Sequence, residues 1–218
     1  MTEALKNILR PAYHLLLRVV LPPYRWIRGM LGRRRLARLP RAEPHRIVVG
    51  ADGVFQAGWI PTDIQNVNLL KPEDWERYFS ENSLAAILAE HVWEHLTEEE
   101  GLAAAKTCHR YLKPGGYLRV AVPDGQHPDP EYVAWIKPGE PGPGPKYHKT
   151  LYTYQTLTEL FERAGFEVQL LEYFDEYGEF HYQDWDAEDG MIHRSRRFDE
   201  RNRDGELSFT SIILDARK

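Results

Sequence analysis

Residues 84–124 constrain the fold more than any other stretch. Residues 84–89, Leu-Ala-Ala-Ile-Leu-Ala, form an unbroken apolar run of the kind found in strands buried on both faces. Thr97 precedes Glu100 by three positions, the spacing at which the two side chains close the start of a helix reciprocally. Leu102, Ala105 and Leu112 then supply its buried side, and Gly115-Gly116 is a stop signal. From Tyr117 to Val122 the chain alternates, with Leu118, Val120 and Val122 on one face, and Pro123-Asp124 ends the run. A strand, a helix and another strand in this order predict an α/β fold with a mostly parallel sheet flanked by helices.

The flanking sequence extends the pattern. Ile47-Val48-Val49 is a short strand closed by Gly50-Ala51-Asp52-Gly53. Residues 59–64 are a second candidate strand ending near Asp63, and residues 67–70 a third. Residues 72–79 read as a helix opened by Pro72. Thr156 and Glu159 have capping-box spacing ahead of Leu157, Leu160, Phe161 and Ala164, and Gly165 ends that helix. Residues 166–174 and 207–214 are the last two strands. Residues 137–145 hold four prolines and three glycines, which forces a loop; it is read either as a hinge over a site or as a surface connection.

Charge divides the chain in two. The net charge of −5 arises from 11 Lys/Arg against 2 Asp/Glu in residues 1–46, and 17 against 31 in the rest. We therefore expect a basic helical arm, residues 1–45, ahead of a domain spanning residues 46–218. Within the arm, residues 4–20 place apolar side chains at helical spacing, and Pro22-Pro23 is expected to end that helix. A basic and aromatic stretch follows, from Tyr24 to Arg35. No apolar run reaches membrane-spanning length, and no cleavage site of a secretory leader is present, so a cytoplasmic location is expected. Three readings of the arm stay open: an amphipathic helix lying on an anionic membrane as a peripheral anchor, docking onto the chain's own acidic body or a partner subunit, or nucleic-acid contact, the weakest of the three. The single cysteine, Cys108, excludes an internal disulfide framework and a cysteine-based metal cluster.

Five blocks occur in order: Gly50-Ala51-Asp52-Gly53, Gly58-Trp59-Ile60-Pro61-Thr62-Asp63, Glu90-His91-Val92-Trp93-Glu94-His95-Leu96, Leu112-Lys113-Pro114-Gly115-Gly116 and Ala164-Gly165-Phe166. Together they resemble a class I S-adenosylmethionine-dependent methyltransferase with a Rossmann-like fold, and in particular a compact subgroup of that family. The resemblance implies that Gly50, Ala51 and Gly53 approach the methionine end of S-adenosylmethionine. It implies that Asp63 accepts from the ribose hydroxyls, and that Glu90 and His91 face the sulfonium and the methyl acceptor. The family's loop usually reads Gly-x-Gly-x-Gly, whereas here Ala51 stands between Gly50 and Gly53. About nine residues separate Gly53 from Asp63, too few for a full crossover helix. A non-catalytic methyltransferase-like binding or scaffold module is therefore the alternative to an enzyme, and an RNA-binding arm on a methyltransferase is a third reading.

Methyl transfer needs alignment of acceptor, methyl and sulfur, and removal of a proton when the acceptor is a hydroxyl. His91, Asp124 and His148 are the candidate catalytic residues. Each also has a plain structural reading: packing for His91, capping a turn for Asp124, a solvated loop for His148. Glu94 and His95 are read as structural. No metal is expected, because His91 and His95 alone lack a third ligand at a recognisable spacing. Between Tyr173 and Arg203, aromatic, acidic and basic residues interleave. They are read either as internal pairs or a dimer edge, or as a wall for a polyol. The expected acceptor is accordingly a small polar hydroxyl compound, with a sugar or glycan precursor as one candidate, and a homodimer is one candidate assembly.

Overall fold

The computed structural model describes residues 21–40, 43–53, 56–139, 146–202 and 207–218. The expected helix over residues 4–20 and most of the Pro/Gly loop lie outside them. One seven-stranded sheet runs through the body in the order β2-β1-β3-β4-β7-β5-β6. Its strands are β1 (His45–Val49), β2 (Ile60–Pro61), β3 (Leu84–Glu90), β4 (Leu112–Pro123), β5 (Glu167–Phe174), β6 (Phe180–Tyr182) and β7 (Ser211–Arg217). β2, β1, β3 and β4 are parallel, whereas β7 runs antiparallel between β4 and β5. Five α-helices are described: α1 (Leu21–Leu36), α2 (Pro72–Tyr78), α3 (Glu98–Tyr111), α4 (Pro130–Ile136) and α5 (Tyr154–Arg163).

Two apolar layers sandwich the sheet. One gathers Ile47, Val49, Ile87, Trp93, Leu118, Phe161 and Leu214 with the helices. Full burial of each large side chain there contributes about 1.5–3 kcal/mol. The opposite layer, of Val48, Trp59, Leu88, Ile213 and Ile192, is closed by Trp185 from an irregular C-terminal stretch rather than by a helix. That stretch is pinned by Arg119 on β4, whose guanidinium forks onto Asp215 of β7 at 2.7 and 3.0 Å. The same guanidinium donates to the carbonyls of Asp186 (3.1 Å) and Gly190 (2.9 Å) and lies 5.0 Å from the Trp185 ring centroid. Within the interleaved segment Asp175 pairs with His181 at 2.7 Å and Asp199 with Arg201 at 2.8 Å.

Three expectations are corrected. Pro22-Pro23 stand in the first turn of α1, which suits proline because the first-turn N–H groups have no intrahelical acceptor; the helix they were expected to end lies outside the described residues. Residues 67–70 are turn and coil, not a third strand. α3 ends at Tyr111, not at Gly115-Gly116, because Pro114 disfavours helical backbone at Lys113, and both glycines run in β4. A Cβ on Gly116 would stand 3.0 Å from the Ala85 carbonyl, so glycine is what lets β4 start tight against β3. Finally, α5 is capped by Thr153 with Thr156 as its reciprocal partner, not by Thr156 with Glu159. The Thr97–Glu100 box of α3 forms as expected.

Helix α1 is docked on the body. Leu36 is buried in the core. Arg33 donates to the Gln65 carbonyl at 2.9 Å, and Arg28 reaches Asp52 and Asp63, each at 3.4 Å.

Candidate active site

A cleft of ≈1010 Å³ opens at the carboxyl ends of β1 and β3, the edge where open α/β sheets bind ligands. Its floor is Val48, Val49, Leu88 and Glu90. One wall is the turn after β1 with Gly50, Ala51 and Asp52. Gly50 has φ +65°, and a Cβ there would lie 2.7 Å from Val92 Cγ2, so only glycine lets this turn pass beside Val92. Residues 64–70, which include the third strand expected at 67–70, instead give an apolar lip of Ile64, Val67, Leu69 and Leu70.

The facing wall is built from the segment after β3 and from residues 147–149. His91 follows β3 with φ +54°, a left-handed backbone that non-glycine residues adopt seldom and mostly at constrained sites. Ser211 gives its hydroxyl proton to the Arg194 carbonyl (2.8 Å), so toward His91 it accepts from Nε2–H at 3.1 Å. His91 Nδ1 sits 3.1 Å from Glu94 Oε1. Both ring nitrogens are thus engaged within the protein.

Glu94 is 2% exposed, and neither carboxylate oxygen has a hydrogen-bond partner of good geometry among the described residues. Burial works to raise its pKa, but His91, the backbone and His95 together hold it below the ordinary carboxylate value. His95 Nδ1 faces the Tyr147 carbonyl at 3.0 Å, and His148 Nδ1 faces the Ile136 carbonyl at 2.7 Å. A carbonyl only accepts, so each Nδ1 carries a proton, and in the neutral ring Nε2 then keeps a lone pair. The two segments are laced by Lys149 N–H and Thr150 N–H donating to the Glu94 carbonyl at 2.7 and 3.2 Å.

The structure brings Gly50, Ala51, Glu90, His91 and His148 to the cleft and leaves Gly53, Asp63 and Asp124 out of its lining. Asp63 Oδ1 accepts the Asp52 N–H at 3.0 Å and Oδ2 faces Arg28, so this carboxylate braces the turn and α1. Glu90 accepts from the backbone N–H groups of His193 (3.2 Å) and Arg194 (2.8 Å), which draws the C-terminal stretch over the cleft. Asp124 is fully buried and accepts from the backbone of Gln126 (2.9 Å) and Phe174 (2.7 Å). Burial raises its pKa to about 6, against the pull of those two donors. These bonds tie the loop after β4 to β5. Gln56, Met191, His193 and Arg194 complete the lining. Nothing local in the sequence marks Gln56 or Met191 as site residues. Tyr147 is the one Phe, Tyr or Trp among the described lining residues.

Residues 32–171, well over half of the chain, match a family described as a methyltransferase domain. The chain belongs to this methyltransferase family. The cleft suits a methyl donor such as S-adenosylmethionine on its own evidence: exposed backbone at a glycine turn, polar Asp52, Gln56 and Asn68, and an apolar lip. No curated protein matches the chain. Among solved structures, a SAM-dependent methyltransferase from Archaeoglobus fulgidus is 16% identical, with 87% of this chain and 94% of that chain covered and a TM-score of 0.43. A SAM-dependent methyltransferase from Thermotoga maritima, described as a possible histamine N-methyltransferase, is 16% identical over 94% and 100% of the two chains, with a TM-score of 0.45. One from Mesorhizobium loti is 14% identical over 85% and 95%, with a TM-score of 0.45.

Proposed function

We propose that the methyltransferase acts on a small polar acceptor bearing a hydroxyl, bound between the Gly50 turn and the histidine wall. The observation that carries this reading is the asymmetry of the cleft. One side offers open backbone and apolar side chains, and the other offers imidazoles with Nε2 lone pairs directed by carbonyl contacts at Nδ1. S-adenosylmethionine supplies an activated methyl group when bound. The turn at Gly50-Ala51 and the apolar lip hold the donor, while the wall that carries His95 and His148 receives and orients the acceptor hydroxyl. Held alignment of this kind contributes about 7–11 kcal/mol toward the barrier. His91, with both nitrogens engaged, positions Glu94 and Ser211 instead of taking the proton itself.

The experiment is an acceptor screen read by S-adenosylhomocysteine release, with alcohols, phenols, sugars and amines as separate arms. Turnover confined to hydroxyl acceptors supports the proposal; turnover on amines alone overturns it.

The arm carries a second reading. On α1, Trp26 (63% exposed), Ile27 and Leu31 stand exposed beside Arg34 and Arg35. An apolar stripe flanked by arginines fits an anionic membrane surface, and no described helix is long and apolar enough to cross a bilayer. Because truncation at residue 41 would strip Leu36 from the core, the test compares the full chain with a Trp26→Ser/Ile27→Ser/Leu31→Ser variant in sedimentation with anionic vesicles. Equal amounts in the supernatant would remove this reading.

A further inference from the structure

We propose that Glu94, His95 and His148 bind one divalent first-row transition-metal ion, of the Zn²⁺ or Mn²⁺ class, on the cleft wall, with its remaining positions open to an oxygen of the acceptor. Ion binding stands on the geometry alone; the role toward the acceptor rests on the proposed hydroxyl methylation.

Three observations converge. First, ligand atoms of the three residues all lie within 4.8 Å of one another. Ligands in a tetrahedral set at about 2.1 Å from an ion are about 3.4 Å apart, so side-chain shifts of about 1 Å complete the shell. Second, each histidine donates from Nδ1 to a backbone carbonyl, Tyr147 for His95 and Ile136 for His148. That contact fixes ring orientation and leaves Nε2 unprotonated, which is the support metal-binding histidines ordinarily have. Third, the Glu94 carboxylate is buried; Oε1 faces His91 Nδ1 at 3.1 Å without a hydrogen bond of good geometry, and Oε2 has no hydrogen-bond partner among the described residues, so a cation beside Oε2 would complete its compensation. The nearby ammonium of Lys149 does not serve, since it is paired with Glu100 at 2.7 Å.

Two imidazoles and one carboxylate make a mixed nitrogen and oxygen set that favours such ions over Mg²⁺, which prefers oxygen ligands. Three protein ligands leave coordination open, the arrangement of a catalytic rather than a structural ion. An acceptor hydroxyl bound there would lose its proton to cleft water more readily. Its oxygen lone pair would then form the C–O bond as the sulfonium C–S bond breaks, with that electron pair passing to sulfur.

A second cluster, Asp175, Glu179 and His181, provides an internal control. Its Asp175 carboxylate is already taken by His181 at 2.7 Å and by the N–H groups of Tyr177 and Glu179. The untagged full-length chain is stripped with chelator and titrated calorimetrically with Zn²⁺, Mn²⁺ and Mg²⁺, with S-adenosylhomocysteine titrated in parallel. One equivalent of Zn²⁺ or Mn²⁺ is expected, with Mg²⁺ at least ten-fold weaker. Glu94→Gln, His95→Ala and His148→Ala should each weaken binding at least ten-fold, while His181→Ala should not change it. His148→Asn serves if the alanine variant fails to fold. Absence of stoichiometric binding by a folded wild-type chain, or unaltered binding in all three site variants, overturns the proposal. Ion binding without S-adenosylhomocysteine binding would support the site and count against the methyl-transfer reading; the reverse pattern overturns the metal site alone.

Discussion

Replacing Arg119 by methionine should cost about 3–5 kcal/mol of stability, the loss typical of breaking a buried ion pair from one side. Arg119 is 3% exposed and Asp215 2%, so neither can recover its hydrogen bonds from water. The variant loses two bonds to Asp215 and two to the carbonyls of Asp186 and Gly190. Among the described residues it leaves Asp215 with a 3.4 Å side-chain contact from Arg217. With a urea m of about 2–3 kcal/mol/M, the midpoint should fall by about 1–2.5 M. In a chain of this size the same loss corresponds to about 6–20 °C in Tm. An Arg119→Met/Asp215→Leu double variant removes the stranded carboxylate and should recover a large part of the loss. Urea unfolding followed by tryptophan fluorescence measures all three proteins. A single variant costing under about 1 kcal/mol, or a double variant no more stable than the single one, would refute the reasoning.

Other perturbations test separate parts of the account. Thr97→Ala removes a capping box and should cost about 1 kcal/mol in the same unfolding assay. Asp124 binds its proton more tightly folded, near pH 6, than unfolded, so its contribution weakens the fold as pH rises from about 4 to 6. By linkage the change is up to about 3 kcal/mol. Asp124→Asn should flatten that slope in stability curves taken from pH 4 to 7, at a lower overall stability because the amide cannot accept from two N–H donors as the carboxylate does. Arg28→Ala frees Asp63 Oδ2 and should leave unfolding within about 0–1 kcal/mol of wild type, as for a partly exposed pair; a loss above about 2 kcal/mol would show α1 docking to depend on it.

What could be read from the sequence was local. The strand over 84–89, the Thr97–Glu100 box and the alternation at 118–122 are each set within a dozen residues, and each stands where expected. The failures lie where long-range packing decides. Residues 67–70 have strand-like composition, but they end as a turn and serve as the cleft's lip. That no helix stands among the described residues between β1 and β2 was legible from the short spacing; that Trp185 and Ile192 cover that sheet face was not, because no periodicity marks an irregular cover. At the site, the glycine turn and His91 came from motif order, whereas the grouping of Glu94, His95 and His148 spans a loop and is set by backbone contacts at Tyr147 and Ile136. Asp124 shows the converse: a carboxylate at a strand's end that the fold uses to tie Phe174 and Gln126 in place.

The most direct measurement is calorimetric titration of the full chain with S-adenosylhomocysteine, beside a Gly50→Val variant. Valine places a branched side chain where a Cβ alone already meets Val92 at 2.7 Å on a left-handed backbone, and so distorts the turn that lines the cleft. The account predicts one site of micromolar affinity, weakened at least ten-fold in the variant, with both proteins folded by circular dichroism. A folded wild-type chain that binds nothing, or a variant that binds as well as wild type, would contradict it and return the chain to the reading of a non-catalytic module.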